Sequence, residues 1–430
     1  MLHTNITRNA AGHLCFAGFD TLELAKEFGT PAYLLDGLRL RDNCRKYTES
    51  MHRAFGPDSQ PFYASKALCF AGIYPILKEM GMGVDVVSGG ELYTALKAGF
   101  PAGRICFHGN SKTDAEIRFA VDQNIGWFVV DNREELEVLG AYAAACGKVQ
   151  NILLRVTPGI DPHTFAAVNT GKLDCQFGSP METGQALAIT ELALKTPGVC
   201  LQGFHCHIGS QIFDWVPFRD GAEKMLLFLQ EVKAKLGFCA KILNLGGGFG
   251  VAYVDSDPRV DIPRSIDMLG QYLRSRCAEL ELEMPRVFLE PGRSIVADAG
   301  MTLYRVSSIK TIEGHRSYVC VDGGMSDNPR YALYQSPYTV YHAESPAAGD
   351  FLCTLAGRCC ESGALLQENI LLPRPKRGDV LAVACTGAYN YSMASNYNRV
   401  GRPPIILLEQ DGPRVAVRRE SWEDMLAREI

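Results

Sequence analysis

PFYASKALC (61–69) reads as a short, buried, alternating strand that runs into a lysine, Lys66, and then into a helix start. A lysine at such a junction is either a solvated strand end or a group set at the mouth of a barrel. The same grammar recurs along the chain. From Gln60 to about Arg293 the further strand candidates are VDVVS (84–88), RICFHG (104–109), GWFVVD (126–131), NILLRVTP (151–158), CLQGFHCHIGS (200–210), KILNLGGG (241–248) and RVFLEPGR (286–293). Between them lie segments such as GELYTALKAGF and FRDGAEKMLLFLQEVKAKLG, with apolar residues at helical spacing and charges on the other face. Eight strands alternating with helices predict an α/β fold, a closed (β/α)8 TIM-type barrel. An open doubly wound sheet fits less well, because no G-x-G-x-x-G follows the first strand.

Beyond residue 300 the texture changes to β-rich runs punctuated by Gly, Pro and Asp-Gly turns, among them TLYRVSSIKTI, SYVCVDGG and GDVLAVACTGAY. The expected organisation is a barrel over 31–293 and a β domain from 1–30 and 294–430, a C-terminal β-sandwich or β-barrel-like domain completed by the N-terminal segment. The 430 residues, 47% hydrophobic and 21% charged, hold enough apolar material for both cores. A net charge of −5 provides no basic footprint for nucleic acid or an anionic membrane, so the expected partner is a small molecule. The N-terminal stretch lacks an apolar core of signal-peptide length and no segment is long enough to span a bilayer, which predicts a cytoplasmic protein. The 15 cysteines show no C-x-x-C spacing and read as reduced thiols. His205 and His207 share a face of their strand, but no further ligand is evident, and no metal site is expected.

Functional groups in a barrel of this type collect at the C-terminal ends of the strands, and phosphate commonly binds after strands seven and eight. Lys66 ends strand one. Strand six ends in His207 and Ser210, strand seven in the glycines Gly247 and Gly248, and strand eight in Glu290, Pro291, Gly292 and Arg293. Singly, a triple glycine is a turn, EPGR a surface ion pair and a strand histidine a core residue. Together at one rim they suit pyridoxal 5′-phosphate: Lys66 for the aldehyde, Gly247, Gly248, Ser210 and Arg293 for the phosphate, and Glu290 to keep the pyridine nitrogen protonated.

The motifs YASKA, VDVVSGGEL, HGNSK, HCHIGSQ, LNLGGGFG, EPGR, GGMSDNPR, CESG and GAYNYSMASNYN, in that order along nearly the whole chain, resemble the diaminopimelate decarboxylase family of the alanine-racemase-like, fold type III pyridoxal-phosphate enzymes. The resemblance implies a homodimer with shared active sites, in which a barrel and the partner's β domain meet. It implies Lys66 as the Schiff-base lysine, His207 against the cofactor ring and Cys360 as proton donor, contributed with Glu361 across the dimer. It assigns Tyr389 to the phosphate and substrate side, and Arg293, Arg330 and Tyr334 to the substrate. Cys359 is expected to alternate to the face opposite Cys360.

Meso-diaminopimelate keeps a carboxylate and an amine at its unreacting end, which suit Arg330 and Glu361 respectively. The chain departs from the family pattern at Ala364 after CESG, at Cys175 and Gln176 in LDCQFG (173–178), and at Tyr331 after NPR. Three alternatives stay open: a decarboxylase for carboxynorspermidine, ornithine or lysine, an amino-acid racemase, and a non-catalytic homologue that binds the cofactor. A racemase should carry an arginine in place of Glu290.

Overall fold

Eight parallel strands close into a barrel in the computed structural model, which describes residues 1–160 and 175–430. They are β1 (Gln60–Ala64), β2 (Gly83–Val86), β3 (Ile105–Phe107), β4 (Trp127–Val130), β5 (Gln150–Thr157), β6 (Val199–His205), β7 (Ile242–Asn244) and β8 (Arg286–Leu289). Each pairs with the next, and β8 returns to β1 to complete the circuit. All eight fall on the segments read as strands. Several stop earlier than expected, because residues such as His108, His207 and Gly246 to Gly248 lie beyond the last ladder bonds, where the chain turns into the rim loops.

Four of the described helices between the strands start on side-chain caps that satisfy their first backbone donors. Ser88 caps Gly89–Lys97, Asn132 caps Arg133–Ala145, Asp261 caps Ile262–Glu279, and Thr113 with Glu116 forms a capping box on Asp114–Asp122. One expectation fails here. The residues after Lys66 do not begin an α-helix but form a 3-10 turn, Ser65–Ala67, and the α-helix starts only at Tyr74. Phe62, Cys106, Val129, Leu153, Ile242 and Phe288 fill the barrel interior, with Trp127 packed against them. It is a packed core and not a pore.

The chain divides into two compact units, one of residues 44–250 and 259–292, the other of 1–43, 251–258 and 293–430. The sequence reading begins the barrel at 31 and runs it unbroken to 293. The strand Ala32–Asp36 instead lies inside the second unit's sheet, antiparallel to Gly300–Thr311 and parallel to Ile405–Glu409. Gly300–Thr311 is the spine of that unit: its first half also pairs with Val380–Ala384, and from Val306 onward, across a bulge between Val306 and Ser308, it pairs with Ser317–Val321. The N-terminal segment adds a three-stranded sheet, Ile6–Arg8, Leu14–Phe16 and Phe19–Asp20. Leu173 and Asp174 of the LDCQFG segment lie outside the described residues. Among the described residues no helix is long and apolar enough to cross a membrane.

Candidate active site

Side chains alternate along a strand, so the residue two beyond a core member points the same way, one layer nearer the C-terminal end. Two steps on from Cys106, Val129, Leu153, Ile242 and Phe288 stand His108, Asp131, Arg155, Asn244 and Glu290. The apolar barrel core is therefore capped by a polar layer. Its centre is Glu290, 8% exposed. Oε1 accepts from Asn244 Nδ2 at 2.5 Å and from His108 Nε2 at 2.7 Å, and Oε2 accepts from His205 Nε2 at 3.1 Å. The two imidazoles lie edge to face, 4.8 Å apart.

Burial pushes the Glu290 carboxyl up, but the two imidazoles outweigh it and hold it well below the usual carboxylate range. Burial pushes His205 down to about 4, so its ring is neutral near pH 7. Its Nε2–H then donates to Glu290, and Nδ1 is left without a hydrogen-bond partner. A carboxylate has about four lone-pair positions, and these three bonds leave one on Oε2. Asp85, on β2, behaves in the opposite way: burial pushes it up to about 6, against the His108 imidazole 3.9 Å away.

Asn244 also joins Glu290 to the glycines. Its Oδ1 accepts from Gly246 N at 2.9 Å, and Glu290 N donates to Gly246 O at 2.7 Å. A Cβ on Gly247 would lie 2.1 Å from the Glu290 carbonyl oxygen, and one on Gly248, whose φ is +123°, would lie 2.5 Å from the Gly209 carbonyl oxygen. These glycines are required first by the protein's own backbone, a role the sequence reading did not assign to them. Gly247 N points at His207 Nδ1 (3.4 Å), while among the described residues no acceptor faces the Gly248 N–H. His207 is half-buried beside this turn, and burial together with the Lys66 ammonium and Arg155 pushes it well down, so it is neutral. Ser210 is half-buried just beyond.

Lys66 is the exposed residue in an otherwise buried run from Phe62 to Leu68. The turn that carries it is fastened by Tyr63 Oη to Leu68 O (2.9 Å) and by Ala64 N to Pro291 O (3.0 Å). Gly292 makes this fastening possible, since a Cβ there would meet the Cβ atoms of Ala64 and Ala67 at 3.1 and 3.2 Å. The EPGR motif, read as one functional unit, is divided by the fold: Glu290 to Gly292 serve the barrel, and Arg293 belongs to the second unit.

Cys106, His108 and Glu290 bring a thiol, an imidazole and a carboxylate within 4.8 Å of one another, a grouping that the sequence does not reveal because Glu290 is 182 residues from His108. Cys106 Sγ lies 3.4 Å from His108 Nε2, which is 2.7 Å from Glu290 Oε1. Both contacts run through His108 Nε2, which joins the thiol to the carboxylate.

In the second unit, Arg330 is 4% exposed. Its guanidinium donates to Tyr338 Oη and Ser336 Oγ, both at 3.2 Å, and stacks 4.6 Å over the ring of Tyr253. Arg293 donates to Tyr253 Oη at 2.9 Å and lies 4.8 Å over Tyr389, whose φ is +59°. Two guanidiniums thus flank one tyrosine. The loop carrying Arg330 is held by Asp327: Oδ1 accepts from Gly324 N (2.8 Å), Oδ2 from Tyr304 Oη (2.5 Å), and the carbonyl from the Tyr33 hydroxyl. Burial pushes the Asp327 carboxyl up to about 7. Tyr334 is half-buried, and Tyr331 is bonded to Glu368 at 2.8 Å.

Cys359 is buried and Cys360 exposed, but they lie on a bend after the strand Phe351–Ala356, so the strand alternation expected of them does not set their directions. Asn398 Oδ1 accepts from Cys360 N at 2.7 Å, and the Tyr397 hydroxyl lies 3.2 Å from Glu361 Oε2. Ala364, the departure after CESG, is buried with its carbonyl on Gly357 N. Sequence reasoning missed His108, Asn244, Tyr253 and Tyr338. The first two could have been found by counting two residues on from the in-facing apolar positions.

Pyridoxal phosphate needs an amine for its aldehyde, an anion for its protonated ring nitrogen and amide donors for its phosphate. Lys66, the remaining lone pair of Glu290 and the Gly248 N–H are groups of these three kinds, so the barrel rim fits the cofactor and these residues would hold it. Fold and site define a pyridoxal-phosphate enzyme of the barrel type. A family model described as "Pyridoxal-dependent decarboxylase, pyridoxal binding domain" matches residues 41–297. A diaminopimelate decarboxylase of Bacillus subtilis (strain 168) is 43% identical over 426 residues, covering 99% of this chain and 97% of its own. A solved diaminopimelate decarboxylase from M. jannaschii, in co-complex with L-lysine, is similar at a TM-score of 0.93 and 34% identity, covering 100% of this chain and 99% of that one. A lysine/ornithine decarboxylase from Vibrio vulnificus complexed with cadaverine is similar at 0.77 and 25% identity, with 94% and 100% coverage. The chain belongs to the diaminopimelate decarboxylase family of pyridoxal-dependent decarboxylases.

Proposed function

We infer that this protein is a pyridoxal-phosphate-dependent carboxy-lyase that converts meso-2,6-diaminopimelate to L-lysine and carbon dioxide, the last step of lysine biosynthesis. The observation that carries this reading is a barrel rim suited to the cofactor in a chain that diaminopimelate decarboxylases match end to end. Bound pyridoxal phosphate supplies a protonated ring that accepts the electron pair of the breaking carbon–carboxylate bond. Lys66 is the amine for its aldehyde, and Glu290 keeps the proton on its ring nitrogen. Gly247, Gly248 and Ser210 take its phosphate, and neutral His207 lies against its ring. Arg293 is read with them at the phosphate, Tyr389 is assigned to the phosphate side on the resemblance, and Gly292 acts through the Lys66 turn.

Arg330 takes the substrate's distal carboxylate, and its burial among hydroxyl and aromatic partners supports that role. Arg293, Tyr334 and Tyr389 complete the substrate set. Glu361 takes the distal amine. Cys360 gives the proton from its Sγ to the carbon that has lost carbon dioxide, and its exposure in the single chain supports access to a partner's site.

The enzyme is a cytoplasmic homodimer with shared active sites. Incubation with pyridoxal phosphate and meso-diaminopimelate, ornithine, lysine or carboxynorspermidine in parallel, with products identified by mass spectrometry, tests the substrate. Lysine from diaminopimelate alone is expected, and product from another substrate only would overturn the specificity. Mixing inactive Lys66→Ala and Cys360→Ala chains should restore up to about a quarter of wild-type activity, because each mixed dimer rebuilds one intact site. No restoration in a mixture with a proven mixed dimer would overturn the sharing.

A further inference from the structure

The Glu290 carboxylate is buried at the top of an apolar core, where an acid left to itself would take up a proton. A protonated Glu290 could donate a hydrogen bond to a pyridine nitrogen but could not keep a proton on it. What opposes this is a set of three donors, two of them imidazoles from β6 and the loop after β3, 85 residues apart from Glu290 in one case. Their arrangement is directional. His108 and Asn244 occupy Oε1, and His205 alone occupies Oε2, so the one open lone pair is on Oε2. The edge-to-face contact at 4.8 Å braces each ring against the other, and the bare Nδ1 of His205 leaves that ring one productive orientation, with Nε2–H toward Glu290.

We propose that His108 and His205 are paired positioning residues which, without touching substrate, keep Glu290 anionic and aim its open lone pair, and so decide whether the cofactor's ring nitrogen carries a proton. This rests on the reading that pyridoxal phosphate binds with its ring nitrogen at Glu290. It assigns a function to HGNSK and to the first histidine of HCHIGSQ, which the cofactor set leaves unused.

The test uses the full-length protein loaded with [15N-pyridine]pyridoxal phosphate. The wild-type 15N signal should be that of a protonated pyridine; a neutral pyridine there would overturn the reading of Glu290 itself, independently of the histidines. In His108→Leu and His205→Leu the signal should move toward the neutral pyridine. With it, kcat for meso-diaminopimelate should fall about 10- to 100-fold, as expected for a lost hydrogen bond to a charged group, with KM changed less than about twofold. His108→Gln, which returns an N–H toward Glu290, should recover much of both. If either leucine variant does not fold, the asparagine variant at that position, too short to reach Glu290, takes its place. A protonated-pyridine signal and unchanged kcat in the variants at both positions would overturn the proposal. So would a fall in kcat with the signal unmoved, which is what a merely structural role predicts.

Discussion

Arg330 meets two hydroxyls and an aromatic face and, among the described residues, no carboxylate. A buried cation without an anion is costly, so this position gains most from a ligand that brings one. Replacing Arg330 by methionine should raise KM for meso-diaminopimelate about 10- to 100-fold, the loss of a charge-assisted pair, while cofactor uptake is unchanged; steady-state kinetics and an absorbance titration check both. Glu290→Ala should lower kcat by about 100-fold or more with Lys66 still able to take up the cofactor, because it removes the anion opposite the ring nitrogen and not the amine. Retention of full activity would sink the assignment of Glu290. Residues of this kind were legible because each sits in a short, chemically odd motif. His108 and Asn244 were not, because their meaning lies in which face of a strand they occupy and in partners 182 and 46 residues distant. Tyr253 and Tyr338 were hidden for a different reason, since aromatic residues in a β-rich stretch read first as core.

At the scale of elements, the turn after β7 has no room for a side chain. Gly247→Ala would set a Cβ about 2 Å from the Glu290 carbonyl oxygen, and the turn or the end of β8 must move. A loss of about 3 kcal/mol or more is expected in chemical denaturation, in the upper tail for single substitutions, together with weakened cofactor retention. The buried Lys112 gives a second case. Its Nζ lies 2.7 Å from Glu135 Oε1 and donates to Gly109 O at 2.8 Å and Val129 O at 2.9 Å, tying β4 and its helix to the loop next to His108. Lys112→Met leaves Glu135 buried without its cation and should cost about 3–5 kcal/mol. All eight barrel strands were legible from apolar runs at regular intervals. Their ends were not, because a strand stops where ladder bonds stop and the sequence pattern continues into the rim. The 3-10 turn at Lys66 was misread as a helix start, since Ala and Leu favour a helix locally while the contacts of Ala64 and Ala67 with the turn after β8 hold the chain in a tighter path.

Over the whole molecule, buried acids of opposite tendency shape the response to pH. Asp327, raised to about 7 in the folded chain, holds a proton that it loses on unfolding between its ordinary value of 3.8 and that point. Folding therefore loses stability as pH rises through this window, on the order of 4 kcal/mol for this residue, and Asp85 acts in the same sense up to about 6. Glu290, held low, adds stability above the ordinary carboxylate range that is lost only as pH falls through its own depressed value. Urea denaturation at pH 5 and pH 8 should show a smaller decline for Asp327→Asn than for wild type. The two-unit plan was legible from the change of texture near residue 300, but the true partition was not. Residues 1–43 and 251–258 join the second unit through non-local pairing, which local composition does not reveal. One link inside the barrel reaches beyond stability. Asn244 and the Glu290 main chain both clasp Gly246, so the span from the carboxylate to the glycine amides is a fixed gauge. With the ring nitrogen at Glu290 and the phosphate at the glycine amides, as proposed above, a ligand whose ring and phosphate were separated by one extra methylene would engage either end but not both, and the barrel would refuse it by length before any substrate was bound.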